Sequence, residues 1–179
     1  MFATSSALSG SAALLLLIVC RLTLAAVTNR TIDDEYGDSV TGRRPIYDGP
    51  WNYGPACPGC FVQPSPKDVF MSSWHDTTTS LQNDHQTISL LFNGTAVWVY
   101  CVVPNYVQSA TTFVNISFNL DGAPVGTYMH QPDESSDVYS YNVTVYSNTD
   151  LANTQHTLVM WAVQGSGPSL LLFDWAEYT

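Results

Sequence analysis

From Gln86 onward, apolar and polar residues alternate in short runs separated by turn residues, and this two-residue period constrains the fold more than any other feature. Successive side chains of a β-strand point to opposite faces, so each run predicts a strand with one buried face. In "TTFVNISFNL" (111–120) Val114, Ile116, Phe118 and Leu120 share one face, while Asn115, Ser117 and Asn119 share the other. In "VYSYNVTVY" (138–146) Tyr139, Tyr141, Val143 and Val145 point one way, and Asn142 and Thr144 the other. "TAVWVYCVV" (95–103) is apolar at nearly every position, as expected of a central strand covered on both faces. "TISLLF" (87–92), "HTLVMWAV" (156–163) and "LLLFDWAEY" (170–178) complete the set. Asn93-Gly94 and Asp121-Gly122 are both hairpin signals. No stretch beyond residue 26 has helical period, so the expectation is an all-β antiparallel sandwich or jelly roll.

Residues 37–80 break this rhythm. Six of the ten prolines fall between Pro45 and Pro66, among glycines. Trp51, Tyr53, Phe61, Val62, Phe70 and Trp74 lie along the same stretch. A loop this apolar is expected to fold back over the sandwich rather than act as a linker.

The first residues set the compartment. Ala12 to Cys20 is an unbroken apolar run, short for a membrane span and of the right length for a signal-peptide core. Small residues at Ala25 and Ala26 place cleavage near Ala26–Val27, giving a leader over 1–26 and one domain over 27–179. The leader has no Lys or Arg before its core, so an uncleaved anchor is the alternative. The remainder carries four cations, Arg30, Arg43, Arg44 and Lys67, against fifteen carboxylates, a net of −11. Such a surface repels nucleic acid and anionic headgroups, which excludes both as partners, and no membrane insertion is expected once the leader is gone. Four Asn-X-Ser/Thr sequons, at Asn29, Asn93, Asn115 and Asn142, predict a glycosylated surface. The expected location is extracellular, either free or associated with a cell wall.

Oxidising surroundings decide the cysteine chemistry. Cys57-Pro58-Gly59-Cys60 lacks the βαβ context of a dithiol oxidoreductase and the second ligand pair of a zinc site. A disulfide fixing the bend of the proline-rich loop is the expectation. Cys20 leaves with the leader, and Cys101 shares a face with Val97, Val99 and Val103, as a buried free thiol would. The four histidines show no His-x-x-x-His spacing, and there is no Gly-x-Ser-x-Gly elbow, so no catalytic set is assigned.

The segments "TIDDEYGDSVTG", "CPGCFVQPSP", "SSWHD", "NGTAVWVYCVV", "NLDGAPVGTY", "ANTQHTLVM" and "LLFDWAEYT", with Trp51-Asn52, resemble a family of uncharacterised surface proteins of mushroom-forming fungi. Their ectodomain resembles the galactose-binding-like jelly roll. Members often continue into a Ser/Thr-rich stretch and a transmembrane helix, so this chain looks like an ectodomain-only version. In many domains of that fold, acids on the adjoining first and last strands hold a structural calcium ion. The resemblance therefore implies Asp33, Asp34 and Asp174 as a possible oxygen cage, with solvated strand-end carboxylates as the alternative. Ligand sites in this class commonly sit among loops at one end. Trp51, Asn52 and Tyr53, with Trp74, His75 and Asp76, supply the residue types that sugar recognition needs. Aromatic plugs packed on the sandwich are the alternative for that group. Trp98, Trp161 and Trp175 lie within strands and are read as core.

Three functions follow. The first is a secreted, glycosylated, non-catalytic module for cell-wall or other extracellular carbohydrate. The second is a structural or adhesive protein that binds other surface proteins. The third is a hydrolase with paired carboxylates such as Asp76 and Asp84.

Overall fold

The structure is a computed structural model that describes residues 28–81, 85–133 and 138–179. The expected leader over 1–26, with Cys20, and Asp84 lie outside the described residues. Twelve strands build two antiparallel sheets, with two single 3₁₀ turns at Gly54–Ala56 and Phe70–Ser72. One sheet contains β1 (Arg30–Asp33), β2 (Gly37–Asp38), β4 (Asn52–Tyr53), β5 (His75–Thr78), β7 (Val97–Pro104), β10 (Tyr139–Asn148) and β12 (Leu170–Tyr178). The other runs in the order β3 (Ile46–Asp48), β6 (Thr87–Gly94), β11 (Thr154–Ala162), β8 (Val114–Leu120), β9 (Ala123–His130). The expected β-sandwich is what the chain forms.

Alternation places the main core between the sheets. Ile88, Leu90 and Phe92 of β6, Ile116 and Phe118 of β8, and Leu158 and Met160 of β11 face Val97, Val99, Cys101 and Phe173 of the other sheet. Cys101 is a free, buried thiol, and burial pushes its pKa well up, which keeps it protonated and inert.

The two glycine turn signals have different outcomes. Asp121 and Gly122 adopt φ of 53° and 86°, the left-handed pair of a type I′ turn, and join β8 to β9 as a hairpin. Asn93-Gly94 does not make the expected hairpin, because β6 and β7 lie in opposite sheets. Both flanking runs bury one face in the same core, so the chain arches across it. Thr95 N–H donates to Thr179 O at 2.6 Å, and a Cβ on Gly94 would stand 2.1 Å from that oxygen, so this crossing requires glycine.

The proline-rich loop folds over the sandwich as expected and makes a second, smaller core. Leu170 and Leu172 project from β12 away from the main core and meet Val62, Val69 and Trp74, together with Val102. Two tyrosines of β10 fasten the loop: Tyr139 OH accepts from Gln63 N–H at 2.8 Å, and Tyr141 OH from Ser65 N–H at 2.9 Å. Cys57 and Cys60 form the expected disulfide, and Gln63 Nε2 donates to both of their carbonyl oxygens. Trp74 is 1% exposed, and a Cβ added to Gly54 would lie 2.0 Å from its indole.

Trp74→Ala is expected to cost about 3–5 kcal/mol of stability by opening a cavity in this second core. Gly54→Ala is expected to cost about 1–3 kcal/mol by overpacking it. Urea unfolding checks both; midpoints near wild type would contradict the plug.

Candidate functional site

A change of partner along β12 organises the polar centre of the molecule. Leu170 to Phe173 pair with β5 on one edge, and Trp175 to Tyr178 pair with β1 on the same edge. The ladder with β7 on the other edge slips between Phe173 and Trp175. Asp174 therefore falls where one neighbour ends and the next begins, beside Asp33 and Asp34 at the end of β1 and His75 at the start of β5. Asp34 N–H donates to Asp174 O at 3.2 Å, closing the gap.

Each acid there has its own partners. Asp34 Oδ1 accepts from Ser73 Oγ at 2.6 Å, and Oδ2 hydrogen-bonds His75 Nδ1 at 2.7 Å. Asp33 Oδ1 accepts from the N–H groups of Glu35 and Tyr36 at 2.9 and 2.6 Å. Asp174 Oδ1 accepts from Phe70 N–H at 2.9 Å, which fixes the covering loop. Asp33 Oδ2 and Asp174 Oδ2 are buried without a hydrogen-bond partner. Burial, opposed by its backbone hydrogen bonds, pushes Asp33 up to about 6, and burial with the neighbouring carboxylates pushes Asp174 up to about 7. Asp34 is also raised by burial, against the hydrogen bonds of His75 and Ser73.

The expected calcium trio thus occupies one place, but its members are not equivalent. Asp33 and Asp174 each keep a buried oxygen that a cation would satisfy, whereas both oxygens of Asp34 are committed. Among the described residues, no three His, Cys, Asp or Glu side chains are gathered as a metal-holding group.

The loop group expected to touch a ligand is drawn together around the same centre, mostly as packing. His75 stacks on Tyr47 with centroids 4.3 Å apart, leans on Tyr53, and turns Nε2 toward Glu35, 3.9 Å away. Asp76 is buried, is raised by that burial, and accepts from Asn52 Nδ2 at 3.1 Å. Trp51 packs on the main core and donates its indole N–H to Asp48 O. Trp74 is sealed inside the second core, so its ring has no face for a ligand. Asn52 is exposed and Tyr53 half-buried, the accessible remainder of the group.

The three strand tryptophans correct the reading from sequence: all are half-buried and project outward. Trp175 is stacked between Phe70 and Tyr100, at 4.7 and 4.3 Å, and donates its N–H to Asn142 Oδ1 at 3.0 Å. Trp98 stands across from Glu177 and Ser147. Trp161 is different. It sits near the end of the middle strand of the five-stranded sheet, across from Thr87 on one side and Ser117 on the other; among the described residues neither it nor Trp98 has a ring stacked on it, but Trp161 also lines a hollow. Its indole and Val159 line a shallow hollow of about 340 Å³, with His85, Thr87 and Asn119 as the polar members. An apolar platform ringed by hydroxyl and amide groups can pack on the C–H face of a sugar while bonding its hydroxyls. The signal for this was the alternation itself: Val159 and Trp161 share a parity opposite to Leu158 and Met160.

Similar folds occur in two crystal structures. Exo-β-1,3-galactanase from Phanerochaete chrysosporium, solved with β-1,3-galactotriose, matches over 85% of this chain and 29% of its own, with a TM-score of 0.50 and 13% identity. The Agl-KA catalytic domain matches over 84% of this chain and 27% of its own, with a TM-score of 0.50 and 8% identity. The chain spans under a third of either protein. At such identities the likeness concerns the fold, a β-sandwich. No protein-family model and no curated protein matches the chain.

The raised acids give a pH prediction. A carboxyl whose folded pKa exceeds its unfolded 3.8 binds its proton more tightly when folded, so Asp174 costs stability as pH rises from about 4 to about 7. In chelator, Asp174→Asn is expected to melt about 2–6 °C above wild type at pH 8, the gap closing toward pH 4. Thermal melts across that range check it; a variant that melts below wild type at pH 8 would show Asp174 stabilising as an anion.

Proposed function

We propose that this protein is a secreted, glycosylated binding module for extracellular carbohydrate, and that it holds its ligand on the outer face of the five-stranded sheet without catalysing a reaction. The observation that carries this reading is Trp161, near the end of the middle strand of that sheet, which lines a hollow beside Thr87 and Asn119 and has no ring stacked on it among the described residues.

The Cys57–Cys60 disulfide supports an oxidising compartment. Asn142 is exposed on a bulge of β10 and Asn93 is exposed at the sheet crossing, which suits both to carry glycans. The reading also gives Asp33 and Asp174 a structural calcium ion, each lending its unpartnered oxygen; the ion would neutralise the buried acids and supply no chemistry. The paired-carboxylate hydrolase loses support, since Asp76 is buried against Asn52 rather than open to a cleft.

β-1,3-Galactotriose, the ligand in the galactanase structure, is the first probe to test, followed by insoluble wall polysaccharides. Trp161→Ala is expected to weaken saturable binding by about 2 kcal/mol, roughly thirtyfold, with little change in melting temperature. Calorimetric titration or pull-down checks this. Full affinity in Trp161→Ala, or no binding of any neutral saccharide by wild type, would overturn the proposal.

A further inference from the structure

At one end of the sandwich, the turn after β2, the β6–β7 crossing, the loop before β11 and the last residues of β12 enclose a cleft of about 680 Å³. Its walls include Arg30, Arg43, Asn93, Asn153, Gln155 and Tyr178. Asn93 and Gln155 share the outer face of the five-stranded sheet with Trp161 but stand at its opposite end, six residues along β11, and none of the six lines the Trp161 hollow or belongs to the polar centre around Asp174.

Charge singles this cleft out. The chain has only five Lys and Arg residues, and two of them line this one cavity. Arg44 pairs with Glu35 at 2.9 Å, yet Arg30 and Arg43 form no ion pair among the described residues, in a chain of net charge −10. Carboxylates are abundant, so two unpaired guanidiniums at one cavity need a reason.

The cleft's own side-chain acid does not supply a partner. Asp38 is 4% exposed, and its Oδ1 accepts from Val40 and Thr41 N–H at 2.7 and 2.8 Å. Its Oδ2 accepts from Tyr178 O–H at 2.6 Å. With those donors in place, Asp38 braces the turn that carries Arg43 and leaves both arginines available.

The remaining lining selects a class of ligand. Phe92 and Tyr178 are 3% and 4% exposed, so no aromatic platform faces the cavity. Recognition must come from charge and hydrogen bonds: guanidinium for a carboxylate, and the amides of Asn153 and Gln155 for hydroxyls. The volume lies in the range of small-ligand sites and admits a short saccharide. The chain's overall negative charge is screened beyond about 8 Å at physiological ionic strength, so contacts at the arginines decide binding at close range.

We propose that this cleft is a second saccharide site, specific for acidic sugars, in which Arg30 and Arg43 hold a uronate carboxylate. It differs from the Trp161 face in chemistry as well as place: the one takes charge, the other a neutral sugar surface.

The test uses the full chain. Trigalacturonate and its fully methyl-esterified form are titrated by calorimetry. Wild type is expected to bind the acid at least tenfold more tightly than the ester, which keeps every ring hydroxyl but no charge. Arg30→Gln and Arg43→Gln are each expected to weaken acid binding about tenfold, with unchanged melting temperature. Trp161→Ala is expected to leave acid binding intact, so a failed sheet-face reading and a failed cleft reading give different results. No binding by folded wild type, equal affinity for acid and ester, or full affinity in the Arg30→Gln/Arg43→Gln double variant would overturn the proposal.

Discussion

The exchange of neighbours along β12 is the constraint on which the rest of the structure depends. A strand that pairs first with β5 and then with β1 must leave a gap between them, and the slipped ladder with β7 widens it at Asp174. Buried backbone and side-chain polar groups at such a gap need partners, and polar side chains supply most of them. Asp34 reaches Ser73 and His75, Asp174 reaches Phe70 N–H, and Tyr47 O–H donates to Asp34 O at 2.8 Å. Those bonds tie the first strand, the covering loop and the last strand into one unit. The cost is a set of acids whose ionised forms are penalised by burial.

The covering loop settles which aromatics are available for binding. It packs Trp74 against Leu170 and Leu172 and lays Phe70 on Trp175, so the outer face of the seven-stranded sheet is largely roofed. Among the described residues, the five-stranded sheet has no such roof over Trp161. The asymmetry comes from sequence length: the long insert precedes β5 and folds over the side on which β5 pairs. One sheet face is thereby covered for stability, while the other stays open among the described residues.

Much of this was legible in the sequence because the period-two pattern is unambiguous where one face is buried. Val114, Ile116, Phe118 and Leu120 fell on the one face their spacing gives, but Tyr139 and Tyr141 pack on the second core while Val143 and Val145 face the main core, because β10 bulges between Ser140 and Val143 and the bulge reverses the alternation. The short disulfide and the buried Cys101 followed from compartment and spacing. Asn93-Gly94 misled because a glycine turn fixes local geometry, not which sheet receives the next strand; Asp121-Gly122 happened to join neighbours. Trp74 misled because polar neighbours in "SSWHD" mark a strand end rather than an exposed ring. Trp161 was misjudged because an apolar residue in a strand was assumed to face inward, although its parity opposed that of Leu158 and Met160. The commitment of Asp34 to Ser73 and His75 depends on contacts about forty positions apart in the chain, which no local spacing records.

The most direct test of the central claim follows the indole N–H resonances of the five tryptophans while a saccharide is titrated into the labelled protein. The account predicts a saturable shift of the Trp161 signal, with the Trp74 signal fixed throughout. A saturable shift at Trp51, with Trp161 unmoved, would contradict it and return the ligand to the proline-rich loop.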